Sequence, residues 1–246
     1  MANYLRTNDV QAGDSGDSNR LSQTNDGQTG GGDHFVIAID GPSGAGKSTI
    51  AKLAAERLGI DYIDTGAMYR AVALAMIRAE EEAAGPEIGA LLDGIAIDLA
   101  GGRTFLNGED VTDDIRTAAC TKRASQVSQL PEVRGKLVAL QRAMGARKSV
   151  VMDGRDIASN VFPDARYKFF ITASPGERAR RRTLEMEEKG LPASYEEVLA
   201  DIEKRDWDDA HRPLNPLTQT PDAILIVTDG LGIEETLNEV LGYIVK

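Results

Sequence analysis

Short apolar runs alternate along the chain with longer segments in which apolar residues recur every three or four positions. The first pattern is typical of buried strands and the second of amphipathic helices. Five such runs predict strands at 35–39, 60–64, 149–153, 167–172 and 223–228, with helical segments between them. Strands that alternate with helices form a parallel sheet covered on both faces, so the predicted fold class is α/β.

One region between residues 85 and 130 interrupts this alternation. Three short runs at 95–99, 103–106 and 109–111 surround Gly101-Gly102 and Asn107-Gly108, and an Asn-Gly pair between two runs is a strong hairpin signal. We therefore expect a small antiparallel insert. Helices are predicted after it, at 114–128 and 131–146.

Three hydroxyl residues stand at predicted helix starts. Thr65 precedes a helix that runs to about residue 82, while Ser174 and Ser194 each begin an S-x-x-E pattern, the signature of a capping box. The helix after Ser194 is expected to end near residue 209, and a last helix is expected at 233–245.

A glycine-rich stretch directly after the first predicted strand carries the main chemical signal. Residues 41–48, GPSGAGKS, fit the pattern G-x-x-x-x-G-K-[ST], and a helical segment follows until Gly59. In that context the loop amides and the helix N-terminus bind phosphate oxygens, Lys47 reaches the β- and γ-phosphates, and the Ser48 hydroxyl is a Mg²⁺ ligand. The alternative is an ordinary glycine-rich turn.

The amino-acid composition limits the kinds of partner that the chain can bind. The 246 residues carry a net charge of −11, and binding of a nucleic-acid polymer requires a basic surface, so no such partner is expected. One cysteine, Cys120, excludes an internal disulfide and suits a reducing compartment, and two histidines are too few for a metal cluster. No run is long and apolar enough to span a membrane. We expect a cytoplasmic protein.

Residues 1–33 form a separate compositional block, rich in Gly, Asp, Asn, Ser, Thr and Gln. Such a segment cannot bury enough apolar surface to fold, and we expect a disordered tail. It lacks the apolar core of a signal peptide. The folded domain is therefore expected to occupy residues 34–246.

Asp153 and an uneven set of arginines suggest phosphoryl transfer. Asp153 ends a predicted buried strand, where a carboxylate can orient Mg²⁺ or an acceptor, although it could also only cap the next turn. Arginines stand at or near element ends, and others cluster on a polar helix at 178–182, which could close over a γ-phosphate or be an ordinary salt-bridged surface helix. The chain has no N-K-x-D guanine motif, which a GTPase would need. The loop therefore indicates a small phosphotransferase.

Several motifs together resemble bacterial cytidylate kinase, over about residues 35–246. They are GPSGAGKST, DTGAMYRA, LNGEDVTDDIR, ASQVSQLPEVR, DGRDIASNVFPDA, ERARRR, and KRDWDDAHR followed by RPLNPL. Adenylate kinases have a different motif in place of DGRD and lack the insert. The resemblance implies a three-layer α/β/α P-loop kinase with a five-stranded parallel sheet, an antiparallel insert that binds the nucleoside monophosphate (NMP), and a helical lid at about 174–192. It also implies a monomer that transfers phosphate from MgATP to CMP or dCMP.

The resemblance also implies a role for each matching residue. The phosphate loop would bind ATP through Gly41, Pro42, Ser43, Gly44, Ala45, Gly46, Lys47, Ser48 and Thr49. The catalytic set would be Lys47, Asp153, Arg155 and the lid arginines Arg178, Arg181 and Arg182. The CMP site would comprise Thr65, Tyr69, Arg70, Ser125, Arg134, Asp153, Arg155, Asp156, Arg205, Asp209 and Arg212. Thr65 departs from members that have serine there, but it keeps the hydroxyl.

Two other functions remain open at this stage. One is a P-loop kinase for another small acceptor, such as UMP or a metabolite alcohol, which an acceptor scan would distinguish. The other is a nucleotide-dependent binding protein that uses the insert as a partner surface. Such a protein would bind ATP without acceptor-dependent release of ADP, and the arginine set would have no purpose in it.

Overall fold

The computed structural model describes residues 34–81 and 88–244. Some predictions concern residues outside this part of the chain. They are the tail expected at 1–33, the start of the insert near residue 85, and residue 245 at the end of the last predicted helix. The elements are β1 (Val36–Asp40), α1 (Lys47–Leu58), β2 (Asp61–Asp64), α2 (Thr65–Glu81), α3 (Ile88–Gly94), β3 (Ile97–Ala100), β4 (Arg103–Leu106), β5 (Glu109–Asp110), α4 (Ala118–Val127), α5 (Pro131–Gly145), β6 (Val150–Asp153), β7 (Tyr167–Thr172), α6 (Pro175–Glu188), α7 (Tyr195–His211), β8 (Ile224–Val227) and α8 (Ile233–Ile244).

The main sheet has five parallel strands in the order β2-β6-β1-β7-β8. This confirms the predicted α/β class and the five strands. All five carboxyl ends lie at one edge, where Ile39 pairs with Asp153 on one side and with Phe169 on the other. Ligands of open parallel sheets bind at this edge.

Helices cover both faces of the sheet, as its hydrophobic pattern requires. Side chains of a strand point alternately to opposite faces. Val36 and Ala38 accordingly join the core beneath α2 and α5, while Ile37 and Ile39 join a second core beneath α1 and α8. The central strand is therefore apolar on both faces, which explains its continuous apolar run. In the described residues, no helix has the length and apolar character needed to cross a membrane.

The insert is antiparallel, as predicted, with the order β3-β4-β5. Asn107 and Gly108 both have positive φ, 52° and 83°, which is the conformation that a two-residue hairpin of this sequence favours. Two predictions were incomplete here. Helix α3 was not predicted, and the helix expected at 114–128 is broken: a 3₁₀ turn at Asp114–Arg116 precedes Thr117, whose hydroxyl caps α4 by accepting from Cys120 N at 3.2 Å.

The cap predicted for α2 was wrong. Asp64 Oδ1 accepts from Ala67 N at 2.8 Å, whereas the Thr65 hydroxyl donates to the Asp153 carbonyl at 2.7 Å. A buried backbone carbonyl needs a donor, and Thr65 satisfies that need. The hydroxyls of Ser174 and Ser194 do cap α6 and α7, as predicted.

Candidate active site

The loop after β1 has the strained backbone that only glycines allow. Gly41 has φ 143°, and a Cβ there would lie 2.0 Å from the Ile171 carbonyl oxygen. Gly46 has φ 87° and is the N-cap of α1, so the first amides of that helix face the loop without a side-chain cap. Free amides at a helix N-terminus form an anion site.

Lys47 lies within this loop and is only 5% exposed. Its Nζ donates to the Pro42 carbonyl at 2.7 Å, which holds the ammonium inside the loop. Burial, followed by the charge of Arg155, lowers the pKa of Lys47 to about 7. Three carboxylates, Asp153, Asp40 and Asp209, oppose this shift without cancelling it, so the buried ammonium attracts phosphate oxygens.

Ser48 and Asp153 meet beside the loop. Ser48 Oγ donates to Asp153 Oδ2 at 2.7 Å, and the Tyr62 hydroxyl donates to Oδ1 at 2.9 Å. Burial and the charge of Asp64 raise the pKa of Asp153 to about 6. A hydroxyl and a carboxylate are the hard oxygen donors that Mg²⁺ takes from protein when phosphates and waters complete its shell. The donor set therefore fits Mg²⁺.

A cleft of about 780 Å³ runs along this edge of the sheet. It brings most of the expected site residues together: Ser43, Gly44, Ala45, Gly46, Lys47, Ser48, Thr49, Thr65, Tyr69, Arg70, Ser125, Asp153, Arg155, Asp156, Arg181, Arg205, Asp209 and Arg212. Five others do not line it, namely Gly41, Pro42, Arg134, Arg178 and Arg182.

Arginines that pair with carboxylates line the middle of the cleft. Arg70 Nη2 bonds Asp64 at 3.0 Å, and Arg155 Nε bonds Asp209 at 2.8 Å. Among the described residues, Arg70 Nε is buried without a hydrogen-bond partner. Burial and the charge of Arg155 lower the pKa of Arg205, and the crowding of like charges favours an anionic ligand.

One end of the cleft holds a buried charge group, which we call the Asp156 cluster: Arg134, Asp156 and Arg212. Asp156 is 5% exposed and bonds Arg134 through Oδ2 and Arg212 through Oδ1, the latter at 3.3 Å. The Arg134 guanidinium lies 6.0 Å from the Tyr69 ring centroid. Burial raises the pKa of Tyr69 to about 12 and lowers the pKa of Arg212. The cluster has two cationic donors and one anionic acceptor, so it suits a ligand that presents both acceptors and a donor.

The lid arginines do not behave alike. Arg178 is 2% exposed; it donates to the Ser43 carbonyl at 3.0 Å and forms a bidentate pair with Asp206 at 2.9 and 2.5 Å. The Ser43 carbonyl and Asp206 therefore hold this guanidinium in the structure, and its expected place in the catalytic set stays a prediction. Arg181 lines the cleft and donates to the Thr228 carbonyl at 2.6 Å. Arg182 is exposed and bonds Glu185 at 2.9 Å.

The sequence comparisons agree with this geometry. The family model described as "Cytidylate kinase" matches residues 37–246. The chain belongs to the cytidylate kinase family. A cytidylate kinase of Caldanaerobacter subterraneus subsp. tengcongensis is 51% identical over 85% of this chain and 94% of its own length. Those of Fervidobacterium nodosum and Clostridium botulinum (strain Langeland) are each 46% identical, over 86% of this chain and 96% and 98% of their own lengths.

This member of the cytidylate kinase family has site residues that the sequence reasoning missed. Tyr62 supports Asp153, and Asp40 accepts from Ile157 N at 2.9 Å and Ala158 N at 2.7 Å. Burial raises the pKa of Asp40 to about 6. The sequence signal that could have indicated Asp40 was a charged residue at the end of an otherwise apolar strand. Beyond β8, the cleft is also lined by Thr228, Leu231, Gly232, Ile233 and Thr236, which no motif or pattern in the sequence indicated.

Proposed function

We propose that this kinase transfers the γ-phosphoryl group of MgATP to CMP or dCMP, giving ADP and CDP or dCDP. The observation that carries the proposal is the continuity of one cleft from the phosphate loop to the Asp156 cluster, with cations between them. The phosphate loop, the cations and the Asp156 cluster follow one another along the cleft. This is the order in which the donor phosphates, the acceptor phosphate and the base would bind. We also propose that the protein is a monomer located in the cytoplasm.

At the donor end, residues 41–49 hold the ATP phosphates, and Lys47 neutralises the β- and γ-phosphate oxygens. Ser48, supported by Asp153, would hold Mg²⁺, and the ion would supply charge neutralisation on the transferring phosphoryl group. Arg181 and Arg182, on the lid at 174–192, complete the neutralisation when the lid closes and water is excluded. Arg178 instead holds the loop and α7 together.

At the acceptor end, Tyr69, Arg70 and Arg155 surround the acceptor phosphate. One of its oxygens attacks the γ-phosphorus in line, a new P–O bond forms, and the bond from the γ-phosphorus to the β,γ-bridging oxygen breaks. Arg205 and Asp209 are proposed to hold the ribose. No covalent enzyme intermediate is needed, so positioning and charge neutralisation perform the catalysis.

Base choice is proposed to lie with Asp156, Ser125 and Arg212, supported by Arg134. Cytosine has an amino donor at N4 and acceptors at N3 and O2, while uracil has an acceptor at O4. A carboxylate accepts well from N4. With UMP, the O4 atom would face Asp156 and leave two buried acceptors opposed, and such mismatches cost up to about 10⁴-fold.

The test is a coupled ADP-release assay across nucleoside monophosphates, with ATP and Mg²⁺, for the wild type and Asp156→Asn. We expect kcat/KM for CMP to exceed that for UMP by at least about 10²-fold, and Asp156→Asn to narrow the gap because an amide can donate to O4. Comparable wild-type activity on UMP or on a metabolite alcohol would reject the CMP assignment. An unchanged ratio in Asp156→Asn would reject the role of Asp156 in base choice.

A further inference from the structure

Two asparagines lie directly behind the Asp156 cluster. Asn160 belongs to the π-helical turn Ile157–Val161, and Asn215 belongs to the loop after α7. The hydrogen-bonding surroundings of the Asn215 amide assign its oxygen, rather than its nitrogen, to the side of three neighbouring donors. In that orientation it accepts from Arg134 Nε and Nη2, both at 3.1 Å, and from Asn160 Nδ2 at 3.2 Å.

The same two residues also contact the other members of the cluster. Asn160 Nδ2 donates to Asp156 Oδ2 at 3.1 Å, so one amide group connects Asn215 to Asp156. The Asn215 backbone carbonyl accepts from Arg212 Nε at 2.6 Å. Asn215 therefore fixes both arginines directly and the carboxylate through Asn160.

The backbone of Asn215 explains why asparagine suits this position. Its φ is 48°, in the left-handed region that few residues other than glycine, asparagine and aspartate adopt without strain. Glycine would lack the side-chain acceptor, and aspartate would add a negative charge. Asparagine combines the backbone conformation with a neutral acceptor.

The two oxygens of the Asp156 carboxylate differ in their hydrogen-bond partners. A carboxylate has about four acceptor positions, two on each oxygen. Oδ2 accepts from Arg134 and Asn160, whereas Oδ1 accepts from Arg212 alone among the described residues. Oδ1 is therefore the oxygen that can accept from an amino group of the base.

We infer that Asn215 and Asn160 are positioning residues for base choice, an inference that rests on the proposed function. They hold Arg134 and Asp156 so that Oδ1 of Asp156, the oxygen with fewer protein donors among the described residues, accepts from the base. Without them, Arg134 and the carboxylate can rotate, and the cluster then tolerates a keto oxygen in place of an amino group. Neither asparagine needs to touch the nucleotide.

The experiment compares CMP and UMP as acceptors at saturating MgATP for the wild type, Asn215→Gly and Asn215→Asp. Glycine keeps the left-handed backbone and removes the amide, while aspartate keeps an acceptor toward Arg134. Asn107→Gly is the matched control, because Asn107 also has positive φ and its side chain accepts from Ala96 N at 2.7 Å, in the insert hairpin. The ratio of the two kcat/KM values does not depend on the folded fraction.

We expect Asn215→Gly to lower the CMP:UMP ratio about tenfold, chiefly through a higher KM for CMP, because the Arg134 guanidinium, which bonds Asp156, loses the acceptor that orients it. Asn215→Asp should keep most of the ratio, and Asn107→Gly should keep all of it. An unchanged ratio in Asn215→Gly, with a wild type that prefers CMP, overturns the inference alone. A wild type without CMP preference overturns the proposed function, and the inference with it.

Discussion

The Ser48 hydroxyl donates to Asp153 Oδ2 at 2.7 Å across 105 residues of sequence. The bond joins the first turn of α1 to the end of β6, because neighbouring parallel strands bring those two places together. It also keeps a buried carboxylate whose pKa is raised to about 6 next to the phosphate loop. An ionised Asp153 therefore lowers the stability of the folded chain.

The first prediction is that Asp153→Asn stabilises the protein while it inactivates the enzyme. The pKa of Asp153 is higher in the folded chain than its ordinary 3.8, so the folded state binds the proton more tightly and loses stability as pH rises from about 4 to 6. At pH 7.5 the variant should gain about 1–3 kcal/mol of unfolding free energy and lose about 10²-fold or more in kcat.

Chemical denaturation at pH 7.5 and at pH 4.5 measures this effect. The gain should shrink at the lower pH, where the wild-type carboxylate is largely protonated in the folded state. Equal gains at both pH values would show that the charge is not its source. A Ser48→Ala variant, which removes one donor to the same carboxylate, should show no such gain at pH 7.5.

The second prediction concerns Lys47. Lys47→Ala removes a point charge from the β- and γ-phosphates at the transition state, so kcat should fall by several orders of magnitude. Steady-state rates with MgATP and CMP measure it. Retention of activity within about tenfold would mean that the loop does not bind the transferring phosphate.

The third prediction is proton uptake on ATP binding. The Lys47 pKa is lowered to about 7, so the free enzyme carries a mainly neutral amine at pH 8, and phosphate oxygens restore its charge. Titration calorimetry with MgATP at pH 8, in buffers of different ionisation enthalpy, should show uptake approaching one proton. The Lys47→Met variant should lose this uptake. If the wild type and Lys47→Met give the same value, another group is responsible.

The fourth prediction separates two lid arginines. Arg178→Met leaves Asp206 without its bidentate partner and should lower the unfolding free energy by about 2–4 kcal/mol. Arg182→Met removes an exposed pair with Glu185 and should change it by less than about 0.5 kcal/mol, yet reduce kcat. Thermal melts and rates on both variants decide this. If Arg178→Met is as stable as the wild type but has a low kcat, Arg178 contacts the transferring phosphoryl group and the prediction is wrong.

The fifth prediction concerns the lid at 174–192. If α6 closes only over bound nucleotides, its amides should exchange hydrogen faster than those of β1 and β6 in the free enzyme. They should slow when ATP and CMP analogues bind together. Hydrogen exchange followed by mass spectrometry resolves both states. Equal protection in the two states would indicate a fixed, salt-bridged surface helix.

Local features of this protein could be predicted from sequence because they depend on neighbouring residues. The apolar run at β1, the glycine pattern of the phosphate loop, the Asn107-Gly108 hairpin and the Ser174 cap all reappear in the structure. Each is set by backbone conformational preferences or by the alternation of buried side chains. The motif resemblance likewise placed most of the site residues that line the cleft.

The tertiary structure alone decided which side chains share hydrogen-bond partners. Thr65 looked like a cap until the fold placed its hydroxyl beside the Asp153 carbonyl, and only the fold shows that Arg178 pairs with Asp206. The fold likewise brings Asn215, in the loop after α7, next to Arg134. Partners that are distant in sequence leave no periodic signal in it, because the strand order of the sheet, and not local preference, brings them within bonding distance.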